Sequence, residues 1–83
     1  MMDKLFIDKL RVYKVDVEYQ WSCAGDKEYE SYILRDENFN RLLTLNKDKK
    51  GYRLVFLEQS DKLNNFDNDV TFKILEIIKN KMN

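Results

Sequence analysis

The spacing most suggestive of chemistry is Asn65-x-Asp67-x-Asp69 with Glu76 in the twelfth position, the oxygen pattern of a calcium-binding loop. The sixth position of such a loop is glycine, because the chain turns there with positive φ. Here it is Val70, whose branched Cβ resists that conformation, and no long helix is expected ahead of it. The segment reads as a polar turn capping a helix, so neither a metal nor a cofactor is expected. Asp16 with Glu18, and Glu28 with Glu30, are carboxylates two residues apart that would share a face of a strand. Acid–base catalysis by such a pair also needs a cleft that raises one pKa, which so short a chain is not expected to build. There is no histidine, which removes Ser–His and Cys–His nucleophile pairs, histidine zinc sites and the side chain best suited to proton transfer at neutral pH. Cys23 is the only cysteine, so no intrachain disulfide or multi-cysteine metal site can form. The expected activity is binding, not catalysis.

Charge points to two binding surfaces. Lysines and arginines number fifteen, as do aspartates and glutamates, and a neutral chain is not built for bulk attraction to nucleic acid. The distribution is uneven, however. Over residues 16–37 seven acidic residues face two basic ones, a balance of −5; over 47–53 four basic residues face Asp48, a balance of +3. In the second segment Lys47, Lys49, Lys50 and Arg53 surround Tyr52, an arrangement that could hold phosphates while the ring stacks on a base. A lysine-rich hairpin tip that stays soluble is the plainer reading.

The elements that would carry these groups are legible from periodicity. Tyr13, Val15, Val17, Tyr19 and Trp21 alternate with Lys14, Asp16, Glu18 and Gln20, the pattern of a strand with one buried face. Residues 28–35 read as its return strand, with Cys23–Lys27 as the loop. Residues 52–58 form a further strand. Residues 40–45 are expected to be a strand entering the Lys47–Gly51 turn, although Phe39, Leu42 and Leu43 would also suit a short helix. Residues 3–10 fit a short helix or an extended segment equally well. A C-terminal helix begins after Asp67, Asn68 or Asp69, with Phe66 able to staple its first turn. Val70, Ile74, Ile77, Ile78 and Met82 form its apolar stripe beside Leu75, and Lys79 and Lys81 complement its dipole.

With 83 residues the chain is expected to be a single domain, 1–83. Its fold class is α+β: three to four antiparallel strands in a meander, packed on one C-terminal helix in two layers. The charged start lacks a secretory h-region and no apolar run reaches ~20 residues, so no membrane association and a cytoplasmic location are expected. A five-residue loop at 23–27 places Ser22 opposite Glu28. Trp21 then meets Tyr29 inside, buried at the hairpin's end, along with Tyr19–Ser31 and Val17–Ile33. Outside, Gln20 meets Glu30, Glu18 meets Tyr32, and Asp16 meets Leu34. Asp16, Glu18, Glu28, Glu30, Tyr32 and Leu34 would thus make an apolar anchor in a carboxylate rim, suited to a basic protein surface. The composition (small, histidine-free, rich in Lys and Asn, with an acidic aromatic surface) resembles that of small phage and mobile-element proteins. Some of those, the anti-CRISPR and anti-restriction proteins, occupy the DNA-binding surface of a host nucleic-acid enzyme. The likeness is one of composition and assigns no residues. The leading expectation is therefore a non-enzymatic inhibitor docking its acidic face on such an enzyme. The alternatives are a small nucleic-acid-binding or regulatory protein using the 47–53 turn, and a homodimer-forming structural domain.

Overall fold

A computed structural model describes residues 2–56 and 67–83. Within them the order is α1 (Lys4–Arg11), β1 (Asp16–Ala24), β2 (Lys27–Arg35), β3 (Arg41–Asp48), β4 (Gly51–Phe56) and α2 (Asn68–Met82). The four strands make one antiparallel sheet in sequence order, and the core joins both helices to one face of it. The α+β meander packed on a C-terminal helix is as expected, and residues 41–48 are strand. The ambiguous segment at residues 3–10 proves to be helical from Lys4 to Arg11, so a second helix joins that layer. Leu57, Glu58, Asn65 and Phe66, which bear on the fourth strand's end, the calcium spacing and the staple, lie outside the described residues.

The helix α1 is short for an independent helix, and its ends are specified locally. Asp3 is the N-cap and accepts a hydrogen bond from the Phe6 N–H. Phe6, Ile7 and Leu10 form the buried stripe. At the other end the Val15 N–H reaches Leu10 O and the Lys14 N–H reaches Arg11 O, with Lys14 at φ 62°. That is a Schellman ending with lysine where glycine is usual, closed by apolar Leu10 and Val15, both buried. A left-handed lysine costs roughly 1 kcal/mol, and its ammonium reaches only exposed Glu37, at 3.9 Å. Lys14→Gly is therefore expected to stabilise the fold by about 0.5–1 kcal/mol in urea unfolding; a loss of stability would show that the αL ending is not formed.

The hairpin register differs from the expected one. Ala24 pairs with Lys27, leaving a two-residue turn at Gly25–Asp26. Gly25 takes φ 64° while Asp26 does not go positive, the II′ pattern that matches strand twist. Three residues fewer in the loop shift the pairing by one, and a one-residue shift turns β2 over. Val17 now faces Leu34, Tyr19 faces Tyr32, and Trp21 faces Glu30. Tyr32 and Leu34 are core residues, 1% and 0% exposed, where exposed anchors were expected. The inner face continues through Leu43 and Leu45 of β3 to Leu54 of β4. A bulge beside Leu34/Arg35 lets Leu42 and Leu43 both enter the core.

The core is sealed by Ile74 and Ile78 of α2, with Val70, Ile77 and Met82 packed at its border. The chain's two ends meet above Tyr32. Lys81 donates to Asp3 at 2.6 Å, and its ammonium lies 5.6–5.7 Å from the ring centres of Phe6, Tyr32 and Tyr52. The Asp3 N–H also donates to Tyr32 Oη at 3.1 Å. The Lys81 hydrogen bond first, then that from the Phe6 N–H, holds the Asp3 carboxyl below its ordinary pKa of 3.8. Desolvation works against the charge of Lys81, yet its bonds to Asp3 and Tyr52 outweigh it and raise the pKa above 10.5.

Candidate functional site

The sheet runs on past the helices. Residues 20–29 are exposed throughout, because the first hairpin projects beyond the core-forming rows. Trp21, expected to be buried, is 56% exposed for this reason, and Tyr29 is 41% exposed. The two point to opposite faces: Trp21 shares the inner row with Glu30, Lys47 and Tyr52, and Tyr29 pairs with Ser22 on the outer one.

The expected acidic surface is not assembled. Tyr32 and Leu34 are in the core, and the four carboxylates divide between faces. Asp16 and Glu18 are on the outer face of β1, where Glu18 accepts from Arg35 at 3.1 Å and from Gln20 at 3.4 Å. Glu28 and Glu30 are on the inner face of β2. Glu30 accepts the Tyr19 hydroxyl at 2.6 Å and lies 3.8 Å from Lys47. The Tyr19 hydroxyl, donating to that carboxylate and partly desolvated, has its pKa pushed up to about 12. The one-residue register shift accounts for the division, since it sends β2 residues to the face opposite the expected one.

The basic segment is divided too, but part of it gains neighbours. Lys47 and Tyr52 turn inward, with the Lys47 ammonium 5.3 Å from the Tyr52 ring centre. Lys49 and Lys50 form the β3–β4 turn, closed by the Lys50 N–H donating to Asp48 Oδ1 at 2.8 Å and by Gly51 at φ 119°. Arg53 points outward, opposite Asn46. The first hairpin brings Lys27 and Tyr29 alongside. Lys27, Tyr29, Lys49, Lys50 and Arg53 line an open groove of about 270 Å³ with Glu28 and Asp48. Four cations against two carboxylates leave it an excess of +2. A second depression, of about 280 Å³, shares Tyr29 and Arg53 and continues over Ser31 and Asn46, whose side chains are bonded to one another at 2.8 Å.

Lys27 and Tyr29 were not candidates from the sequence. The signal that could have found them is the Gly25-Asp26 dipeptide, a two-residue hairpin turn by composition. The groove offers cations, a flat ring and amide or hydroxyl groups, the equipment for holding an anion and stacking a planar group. Among the described residues no polar or charged side chain is buried, and no three Asp, Glu or Cys side chains converge as a metal site. Cys23 is exposed, its Sγ 3.4 Å from Gly25 O. Among the described residues no helix is long and apolar enough to cross a membrane. Comparison with protein-family models, with curated proteins and with solved structures gives no match, so nothing about function is carried over from a relative.

Proposed function

We propose that the chain is a non-catalytic binding module that contacts single-stranded nucleic acid through the groove between its hairpin tips. One observation carries this reading: Lys27 of one hairpin converges with Lys49, Lys50 and Arg53 of the other around exposed Tyr29. Phosphates would meet the cations while a base stacks on the ring. Because the chain is neutral overall, the contact is local, with three or four phosphates engaged. Its affinity should then fall with salt at a log–log slope of about −2 to −3, near −0.7 per phosphate. Fluorescence polarisation of labelled 15-nucleotide DNA and RNA, stepped through salt, tests this. Lys49→Glu with Lys50→Glu is expected to weaken binding at least tenfold and flatten the slope by about 1.4. Tyr29→Ala should remove about 1–3 kcal/mol of stacking without changing the slope. Failure to bind at 50 mM salt, or identical binding by all three proteins, rejects the reading.

The exposure of Trp21 opposite Glu30, on the face of β2 that also carries Glu28, favours a second reading: docking of the projecting hairpin on a basic protein surface. Tyr32 and Leu34 would take no part. The compositional likeness to phage and mobile-element proteins would make that partner a host nucleic-acid enzyme. Both readings place the protein in the cytoplasm. A partner that survives nuclease treatment in a pull-down, and is lost with Trp21→Ala, supports the second; one lost on nuclease treatment supports the first.

A further inference from the structure

The strand β1 has a single neighbour in the sheet, so one of its edges is open among the described residues. Proteins usually blunt such an edge with Lys, Pro or a bulge. Asp16–Ala24 contains no Lys, Arg or Pro, and its pairing with β2 is unbroken. The two-residue turn sets the hydrogen-bond phase. Ala24 and Lys27 exchange bonds next to the turn, so the even residues of β1 bond to β2. Val17, Tyr19, Trp21 and Cys23 therefore aim their backbone N–H and C=O at the open edge.

We propose that this edge pairs antiparallel with β1 of a second copy, about a two-fold axis at Gln20. Gln20 is the midpoint of the nine-residue strand, so this register uses the strand's full length. It sets Val17 against Cys23 and Tyr19 against Trp21, twice each, with about eight backbone hydrogen bonds. The charges fit it as well. Glu18 falls opposite Ser22 and Asp16 opposite Ala24, so no carboxylate meets another. A two-fold at Glu18 would set Glu18 on itself, and like charges directly opposite are destabilising. Exposed Trp21 and half-buried Tyr19 gain aromatic cross-strand partners on the helix side of the sheet. The axis is normal to the sheet, so all four helices lie on one side of an eight-stranded sheet. The other side carries both Tyr29 grooves, about 20 Å apart from strand spacing and rise. The pairing does not depend on nucleic-acid binding.

The test reads the register directly. Gln20 faces its own copy at a non-hydrogen-bonded position, where Cα atoms approach to about 4.5 Å, within disulfide range. In a Cys23→Ser background, Gln20→Cys under mild oxidation should give a covalent dimer on a non-reducing gel. Ser22→Cys and Glu18→Cys, each facing a residue other than its own copy, should give at least fivefold less. Equal yields from the three, or no dimer from Gln20→Cys at 200 µM protein, overturn the proposal. Sedimentation should show the 10.1 kDa chain doubling in mass as concentration rises. Trp21→Pro, which removes an edge-facing N–H at a position where proline is tolerated, should abolish that rise while keeping the circular-dichroism spectrum. A doubling that persists in folded Trp21→Pro also overturns it.

Discussion

Tyr32→Ala is expected to destabilise the protein by about 3–5 kcal/mol, the usual cost of emptying a large aromatic site in a core. Tyr32 is the largest fully buried side chain, edge-on to Phe6 with ring centres 5.2 Å apart and tilted to Tyr19 at 5.1 Å. Its hydroxyl also receives the Asp3 N–H. A small domain has only about 5–15 kcal/mol in total, and each kcal/mol is worth about 4–8 °C of melting temperature. The variant should therefore melt some 15–30 °C lower, or be largely unfolded at room temperature. Trp21→Ala should cost less than about 1 kcal/mol, because the ring is mostly in solvent, and native tryptophan emission should peak near that of an exposed indole. The contrast decides the register. Pairing one residue out would turn Tyr32 to the outer face and leave Trp21 on the projecting hairpin, so a Tyr32→Ala no costlier than Trp21→Ala would reject the pairing described above.

That contrast also marks where the fold was legible and where it was not. Alternation over Val17–Trp21 specifies β1 and its inward parity, because that signal is local. Tyr13 and Val15, which carry the same alternation, belong instead to the ending of α1. The α2 stripe through Ile74 and Ile78 is equally local, and both residues are buried. Register is a different kind of information. It depends on whether the turn holds two residues or five, and that choice decides the face of every β2 side chain. A five-residue loop puts Tyr32 and Leu34 on the surface among carboxylates, whereas the two-residue turn puts both in the core. The α1 segment was ambiguous for another reason. Eight residues are too few to show helical periodicity convincingly, and the contacts that hold the helix come from Tyr32 and Lys81, far along the chain. As for the site, Lys49, Lys50 and Arg53 were visible as a charge run. Lys27 and Tyr29 joined them only once the hairpins were paired.

The second large effect is expected at Asp3, where the chain's two ends are tied together. Asp3→Ala removes an N-cap, worth about 1 kcal/mol, and the charge-assisted bond to Lys81. The Asp3 side chain is 35% and that of Lys81 17% exposed. The pair therefore falls between a surface ion pair and a buried charged hydrogen bond, at about 1–2 kcal/mol. The total loss should be about 2–3 kcal/mol. Asp3→Asn keeps a capping oxygen and loses the charge, so it should cost about half as much. Lys81→Met keeps the stem against Phe6 and Tyr52, and a cycle of the two should show coupling near 1 kcal/mol. Coupling below about 0.3 kcal/mol would mean that the bond ties nothing down. The pH dependence follows from the directions of the two shifts. Asp3 is depressed in the folded state, so its contribution is complete above 3.8, its unfolded value, and is lost as pH falls through the lower folded value. Lys81 is raised, so its contribution is complete below 10.5 and is lost as pH climbs through the higher folded value. Between those limits the pair contributes a flat term to stability. Wild-type and Asp3→Asn stability curves should run parallel there and converge below about pH 3.8. Curves that stay parallel into acid would place the Asp3 carboxylate away from Lys81 in solution.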